Sequence, residues 1–257
     1  MKRIIISSIL SFAALTTIVS CDDFLTRYST GDLSSDNMFK SAELAEGVVT
    51  GVYELNTYGL NSYWPYNWDA FASVLDPSET SISGSYQYLT GSTMPTADIF
   101  LTFWKQYYEG VNRANDAINN LPSVPDMSDA LKAQRIAECK FLRAWNYYML
   151  NCRWRGVPIY LENLSPDEYT RPRASEKEVW EQIVADLTDC IECETLPKKY
   201  DSGNANYGRV TKGAAYALRG KTYLWMEEWE LAEADFRKVG ECGYSLFNGS
   251  YADLFLE

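Results

Sequence analysis

Between Leu131 and Tyr160 the chain runs LKAQRIAECKFLRAWNYYMLNCRWRGVPIY, with apolar residues recurring at helical spacing. Ala137, Phe141, Ala144 and Tyr148 fall on one stripe, and Leu142, Trp145, Met149 and Cys152 fall on the stripe beside it. Two adjoining stripes make an apolar face too wide for one neighbour, so the segment predicts a helix packed against several others. Its end is marked as clearly. Arg153 and Arg155 suit the negative end of a helix, Gly156 accepts a left-handed backbone, and Pro158 prevents continuation.

The rest of the chain supplies partners for that helix. Met1 to Ser20 has the form of an export signal, with Lys2 and Arg3 ahead of an apolar run from Ile4 to Val19. The run is shorter than a usual membrane span. It closes on Ile18-Val19-Ser20-Cys21, which resembles the lipobox at which bacterial lipoproteins are cleaved and acylated, so Cys21 is the expected lipidation site. Residues 21–40 are polar and are expected to be a tether. Ser41 then caps a helix expected to reach about Asn56, with Ala45, Val48, Val52 and Leu55 on one face. Ala97 to Leu121 predicts another, with Phe100, Trp104, Tyr107, Val111, Ala114 and Ile118 as its stripe. After Pro158 the chain crosses in extended form to Ser175, which with Glu178 makes a capping box for a helix buried through Val179, Ile183, Leu187 and Ile191.

From Gly208 to Phe247 the spacing fits a tetratricopeptide unit. Gly220, Tyr223, Ala232 and Phe236 match it; Tyr216 stands for its Trp, Arg219 replaces its Leu and Tyr244 replaces its Pro. The fold class expected is therefore all-α, an irregular tetratricopeptide-like helical superhelix with long aromatic-rich loops.

The longest of those loops, Thr57 to Thr96, has no sustained periodicity. At roughly forty residues it is far above the usual four to six, and loops of that length are functional or disordered. Five aromatics in the nine residues from Tyr63 to Phe71 argue against disorder. Sugar rings stack their C–H faces on Trp and Tyr while their hydroxyls need amide and carboxylate partners. Trp64, Tyr66, Asn67, Trp68 and Asp69 offer that mixture, with Tyr86, Gln87 and Tyr88 as a second cluster. The bland alternative, that these rings fill core space, is the better one for any single residue but not for the whole group.

Composition removes several function classes. With no histidine there is no histidine triad, no His-containing zinc site and no His general base. A net charge of −12 repels phosphate backbones, so no nucleic-acid partner is expected. Carboxylate-only glycoside hydrolysis survives this test, but Asp76 and Glu79 are its only suggestion and no catalytic residue is assigned. Cys190 and Cys193 form a single CxxC late in a helix, which is expected to be buried free thiol and not a metal site. No cofactor is expected.

Phe141-Leu142-Arg143-Ala144-Trp145 through Gly156-Val157-Pro158 resembles the SusD/RagB-like nutrient-binding lipoproteins. The resemblance continues in the family's order through Cys21 to Leu25, Gly110 to Asn115, Val179 to Leu187, Gly208 to Ala215 and Gly243 to Leu246. It implies a helical domain over 41–257 that forms the N-terminal portion of a longer protein. It also implies a lipid anchor in the cell outer membrane, facing the exterior. The ligand would be an oligosaccharide or other nutrient, delivered to a SusC-like TonB-dependent transporter, with no enzymatic step. Two alternatives stand beside it: a helical-repeat scaffold that binds only protein, and a carboxylate-based glycosidase.

Overall fold

A computed structural model describes residues 35–61, 94–163 and 170–255. The account below concerns the compact unit Met38–Glu257. Six helices longer than two turns make up most of its described residues: α1 (Ala42–Asn61), α2 (Asp98–Asn120), α3 (Asp129–Trp154), α4 (Glu176–Glu192), α5 (Lys212–Trp225) and α6 (Trp229–Glu241). No strand occurs among the described residues. The fold is all-α, as the periodicity predicts.

Helix α3 is the hub. It packs against α2 on one side and α4 on the other and also meets α1 and α5, while α4 packs on α5 and α5 on α6. Its burial is wider than its two apolar stripes. Ala137, Cys139, Leu142, Ala144, Tyr147, Tyr148 and Leu150 are buried, and so are Arg135, Glu138, Arg143, Asn146 and Asn151. Phe141, Trp145, Met149 and Cys152, expected inside, are only half-buried. Buried polar side chains take positions beside them, Arg143 bonded to Asp186, Asn146 to the Leu142 carbonyl and Asn151 to the Glu176 carbonyl. Two apolar clusters result, and α3 contributes to both. Phe103, Tyr107, Tyr147, Leu150, Ile183, Leu187 and Leu218 belong to one. Val49, Val52, Ala114, Ala117, Leu121, Cys139 and Leu142 belong to the other.

Side-chain caps set the helix starts, because the first N–H groups of a helix lack internal partners. Ser128 Oγ accepts from Leu131 N at 3.3 Å, and Thr211 Oγ1 accepts from Ala214 N at 3.2 Å. The capping box of α4 is complete, with Ser175 accepting from Glu178 N and Glu178 accepting from Ser175 N. Helix α1 runs to Asn61, beyond the expected Asn56, and buries Val49 in place of Val48. Ala45, Val49 and Val52 follow an i, i+4, i+7 spacing, which aligns them on the face toward α2 and α3.

A buried charge cluster closes the α1 side. Glu138, fully buried, accepts from Arg135 at 2.7 Å, Arg209 at 2.8 Å and the Tyr53 hydroxyl at 2.9 Å. Glu46 receives the same two arginines at 2.6 and 3.0 Å. Tyr53 Oη also accepts from Val210 N at 2.9 Å. Burial, with the Glu138 carboxylate alongside, holds the Tyr53 phenol far above its ordinary range. Two carboxylates and two guanidiniums thus join α1, α3 and the segment ahead of α5.

The α5–α6 hairpin explains its own departures from the repeat pattern. Gly220 faces Phe236, whose ring would lie 2.8 Å from any Cβ there. Arg219, in the position of the pattern's Leu, forks onto Asp235 at 2.7 and 2.8 Å and spans the Tyr216 and Tyr223 rings. Tyr244, in the position of its Pro, shares a 2.9 Å hydrogen bond with Thr211. Of the CxxC pair, Cys190 is buried and donates its thiol to Ala137 O at 2.9 Å, and burial pushes that thiol well up. Cys193 is half-buried. Among the described residues no group of three His, Cys, Asp or Glu side chains could hold a metal ion.

Candidate functional site

The residues singled out from the sequence for binding, Trp64, Tyr66, Asn67, Trp68, Asp69, Tyr86 and Tyr88, lie outside the described residues, as do Cys21, Asp76 and Glu79. A different set comes together in the described part. A cleft of about 270 Å³ opens between α2 and the extended segment after α3, lined by Trp104, Tyr108, Val111, Asn112, Asn115, Pro158, Tyr160 and Glu162.

The α2 wall follows from helix geometry. Trp104, Tyr108, Val111 and Asn115 are spaced i, i+4, i+7, i+11 and so share one face. The opposite wall exists because α3 stops abruptly. Arg155 takes φ 51° and Gly156 takes φ 88°, two left-handed residues in succession. A Cβ on Gly156 would lie 2.5 Å from Ala174 O, so only glycine fits between the strand-like exit of α3 and the start of α4. Pro158 then commits the chain to an extended path. Arg173 supports the turn by donating to the carbonyls of Trp154, Arg155 and Gly156.

Side chains hold that path in place. Tyr108 Oη donates to Pro158 O at 2.7 Å. Tyr147 Oη donates to Tyr160 O at 2.9 Å and accepts from Tyr160 N at 2.6 Å, so one hydroxyl satisfies both backbone groups. Asn115 Nδ2 donates to Tyr160 O at 3.1 Å, and its Oδ1 accepts from Arg143 at 2.8 Å. Arg143 in turn forks onto Asp186 of α4 at 2.8 and 2.6 Å, both residues being buried. Burial raises the Asp186 carboxyl above its ordinary value, and the Arg143 guanidinium opposes that shift. Tyr108 and Tyr147 phenols are likewise pushed well up by burial.

The cleft is therefore pre-formed. Its apolar surface is aromatic: Trp104 lies 4.9 Å from Tyr108 and meets Trp154 edge-on at 5.3 Å, and Tyr160 meets Tyr108 edge-on at 5.8 Å. Its polar groups are the Asn112 amide and the Glu162 carboxylate, with Arg171 beside them. Arg171 covers the Tyr160 ring at 5.4 Å, pairs with Glu162 at 3.3 Å and donates to Ile159 O at 3.2 Å. Ring faces beside an amide and a carboxylate suit a hydroxyl-bearing ring ligand. Among the described residues they do not include a hydrolytic pair. That chemistry needs two carboxyl groups across the ligand at roughly 5–10 Å, and Glu162 is the only carboxylate among the described residues that line the cleft.

Sequence reasoning missed this site. Trp104 is placed by periodicity on the core stripe, but it is half-buried at the cleft wall. Tyr108 and Asn115 fall outside that stripe, so periodicity assigns them no role. The signal that carries them is a buried amide, Asn115, on a helix face otherwise made of aromatic and aliphatic groups.

Residues 23–224 match the model of a SusD-like protein family described as starch-binding and associating with the outer membrane. A SusD-like protein of Formosa agariphila is 22% identical over 256 residues, covering 92% of this chain and 46% of its own length. A SusD-like protein of Bacteroides ovatus is 25% identical over 227 residues, covering 86% of this chain and 39% of its own. The chain thus spans less than half the length of these curated relatives. Among solved structures, a laminarin-binding SusD-like protein superposes with a TM-score of 0.72 at 28% identity, covering 81% of this chain and 47% of that one.

Proposed function

The chain belongs to the SusD-like family, and from that premise we propose that it is a non-enzymatic binding protein capturing oligosaccharides at the outer-membrane surface. The observation that carries this reading is the family match itself, since residues 23–224 take in every element of the aromatic cleft. The laminarin-binding relative supports a glucan as ligand. The cleft supports it chemically, with ring faces for sugar C–H surfaces and a carboxylate and an amide for hydroxyls. In this reading Cys21 carries the lipid anchor, the residues from 22 up to the compact unit at Met38 form the tether, with Phe39 already in the core, and a SusC-like TonB-dependent transporter receives the ligand. Trp64, Tyr66, Asn67, Trp68, Asp69, Tyr86 and Tyr88 add a second set of stacking and hydrogen-bonding groups.

Calorimetry of the full-length protein against a glycan panel, beginning with laminarin and starch oligosaccharides, tests the binding role. Stacking removes apolar area from water on both partners, worth about 1–3 kcal/mol per ring. Tyr160→Ala and Trp68→Ala are therefore each expected to weaken binding about tenfold or more without loss of the thermal transition. Wild-type affinity in both variants would put the ligand elsewhere. Cys21→Ser is expected to move the protein out of the membrane fraction, and unchanged fractionation would overturn the anchor.

A further inference from the structure

Resting on the binding role above, we infer that the cleft selects neutral saccharides over uronate- or sulfate-bearing ones, and that Glu162 sets this preference. A site for anionic sugars needs a cation whose N–H groups are open to the ligand. The guanidiniums around this cleft are already engaged. Arg143 gives two of its nitrogens to the Asp186 carboxylate and its third to Asn115 and the Leu161 carbonyl. Arg173 is spent on three backbone carbonyls at the end of α3. Arg171, beside Glu162, is divided between that carboxylate, the Ile159 carbonyl and the face of Tyr160. Lys105 is on α2 but does not line the cleft.

What the cleft does present is a carboxylate. Glu162 is exposed and lines the opening, and its partner Arg171 holds it from one side. An ionised carboxylate only accepts hydrogen bonds, so it suits the paired O–H groups of a neutral sugar ring. The same carboxylate neutralises Arg171 at 3.3 Å, so the pair offers a sugar anion no net attraction, and removing the carboxylate charge uncovers the guanidinium. A guanidinium freed of its partner forms charge-assisted hydrogen bonds to a carboxylate, and one such contact is enough for about tenfold discrimination.

Glu162→Gln keeps the size of the side chain, removes the charge and turns one acceptor into a donor. Calorimetry on the full-length protein, wild type and E162Q, would use laminarihexaose as the neutral probe and hexagalacturonate as the anionic one. The expected result is opposite movement: E162Q binds laminarihexaose several-fold more weakly and hexagalacturonate about tenfold more tightly than wild type does. Added salt should narrow the wild-type difference between the two probes. Loss of structure would weaken both together, so movement in opposite directions is specific to the charge. If both probes bind the wild type equally, or E162Q leaves their ratio unchanged while Tyr160→Ala still abolishes binding, the selectivity is overturned and the binding role stands. If Tyr160→Ala alters neither probe, the cleft is not the glycan site and the selectivity is overturned; the binding role itself falls only if the wild type binds no glycan of the panel.

Discussion

Arg143 connects three parts of the chain: its own helix α3, Asp186 on α4, and the Asn115 amide that holds the Tyr160 backbone. Both members of the ion pair are buried, so removing one leaves an uncompensated charge. Arg143→Ala is expected to cost about 3–5 kcal/mol and to lower the melting temperature, whereas Arg143→Met with Asp186→Leu should recover most of the loss. A single variant that melts like wild type would show that Tyr108 and Tyr147 hold the segment unaided. The tyrosines make a second prediction. Burial raises the phenols of Tyr53, Tyr108 and Tyr147 above the ordinary value of about 10. As pH rises past that value, the unfolded chain loses these protons before the native one does. The native state then binds more protons, so stability is unaffected below about pH 10 and falls steadily above it. Urea midpoints measured from about pH 9 to 11 should show this decline, with a shallower slope for Tyr108→Phe. A flat profile would contradict the burial. None of these roles was legible in the sequence, because a periodicity argument counts Arg143 and Asn115 as interruptions of an apolar stripe.

Helix ends were far easier to read. The Ser175–Glu178 box, the Ser41 start and the stop at Gly156 are local chemistry within four residues, and the structure has each of them. The length of α1 and the choice of Val49 over Val48 depend on where α2 and α3 lie, which no local pattern states. Two glycines separate local from tertiary demands. Gly156 needs a left-handed backbone and faces a carbonyl oxygen that cannot move. Gly220 is helical and faces the ring of Phe236, which is 40% exposed and can swing outward. Gly156→Ala is therefore expected to cost about 1–3 kcal/mol and to weaken glycan binding through the displaced Tyr160 segment. Gly220→Ala should cost less and leave binding unchanged. Thermal melts with calorimetry distinguish the two, and equal losses would contradict this ranking.

At the scale of the molecule, the ordered set of motifs along the chain carried the family, while the cleft required two segments some fifty residues apart to meet. The same scale exposes an unusual surface. Leu224, Trp229, Ala232 and Phe236 line a shallow groove along the outer side of α5 and α6, and Trp229 is 61% exposed. Leu224 and Phe236 beside it are 42% and 40% exposed, so the groove is an apolar patch open to solvent. The chain should bind an environment-sensitive apolar dye in its native state, and Trp229→Lys with Phe236→Lys should abolish most of the signal while the melt is retained. An unchanged signal would place the dye on another face.

Arg209 meets Glu46 across 163 residues, and Val210 meets Tyr53 across 157. Chains are made from the amino terminus, at roughly 5–20 residues each second. For several seconds after α3 is complete, then, Glu46 and Glu138 have only Arg135 between them, and Tyr53 has no backbone group to receive. The first long helix is thus finished by residues that arrive more than 150 positions after it. That gives folding a clock: a chain interrupted before residue 209 keeps α1 loosely held and open to proteolysis, and a few further residues close it.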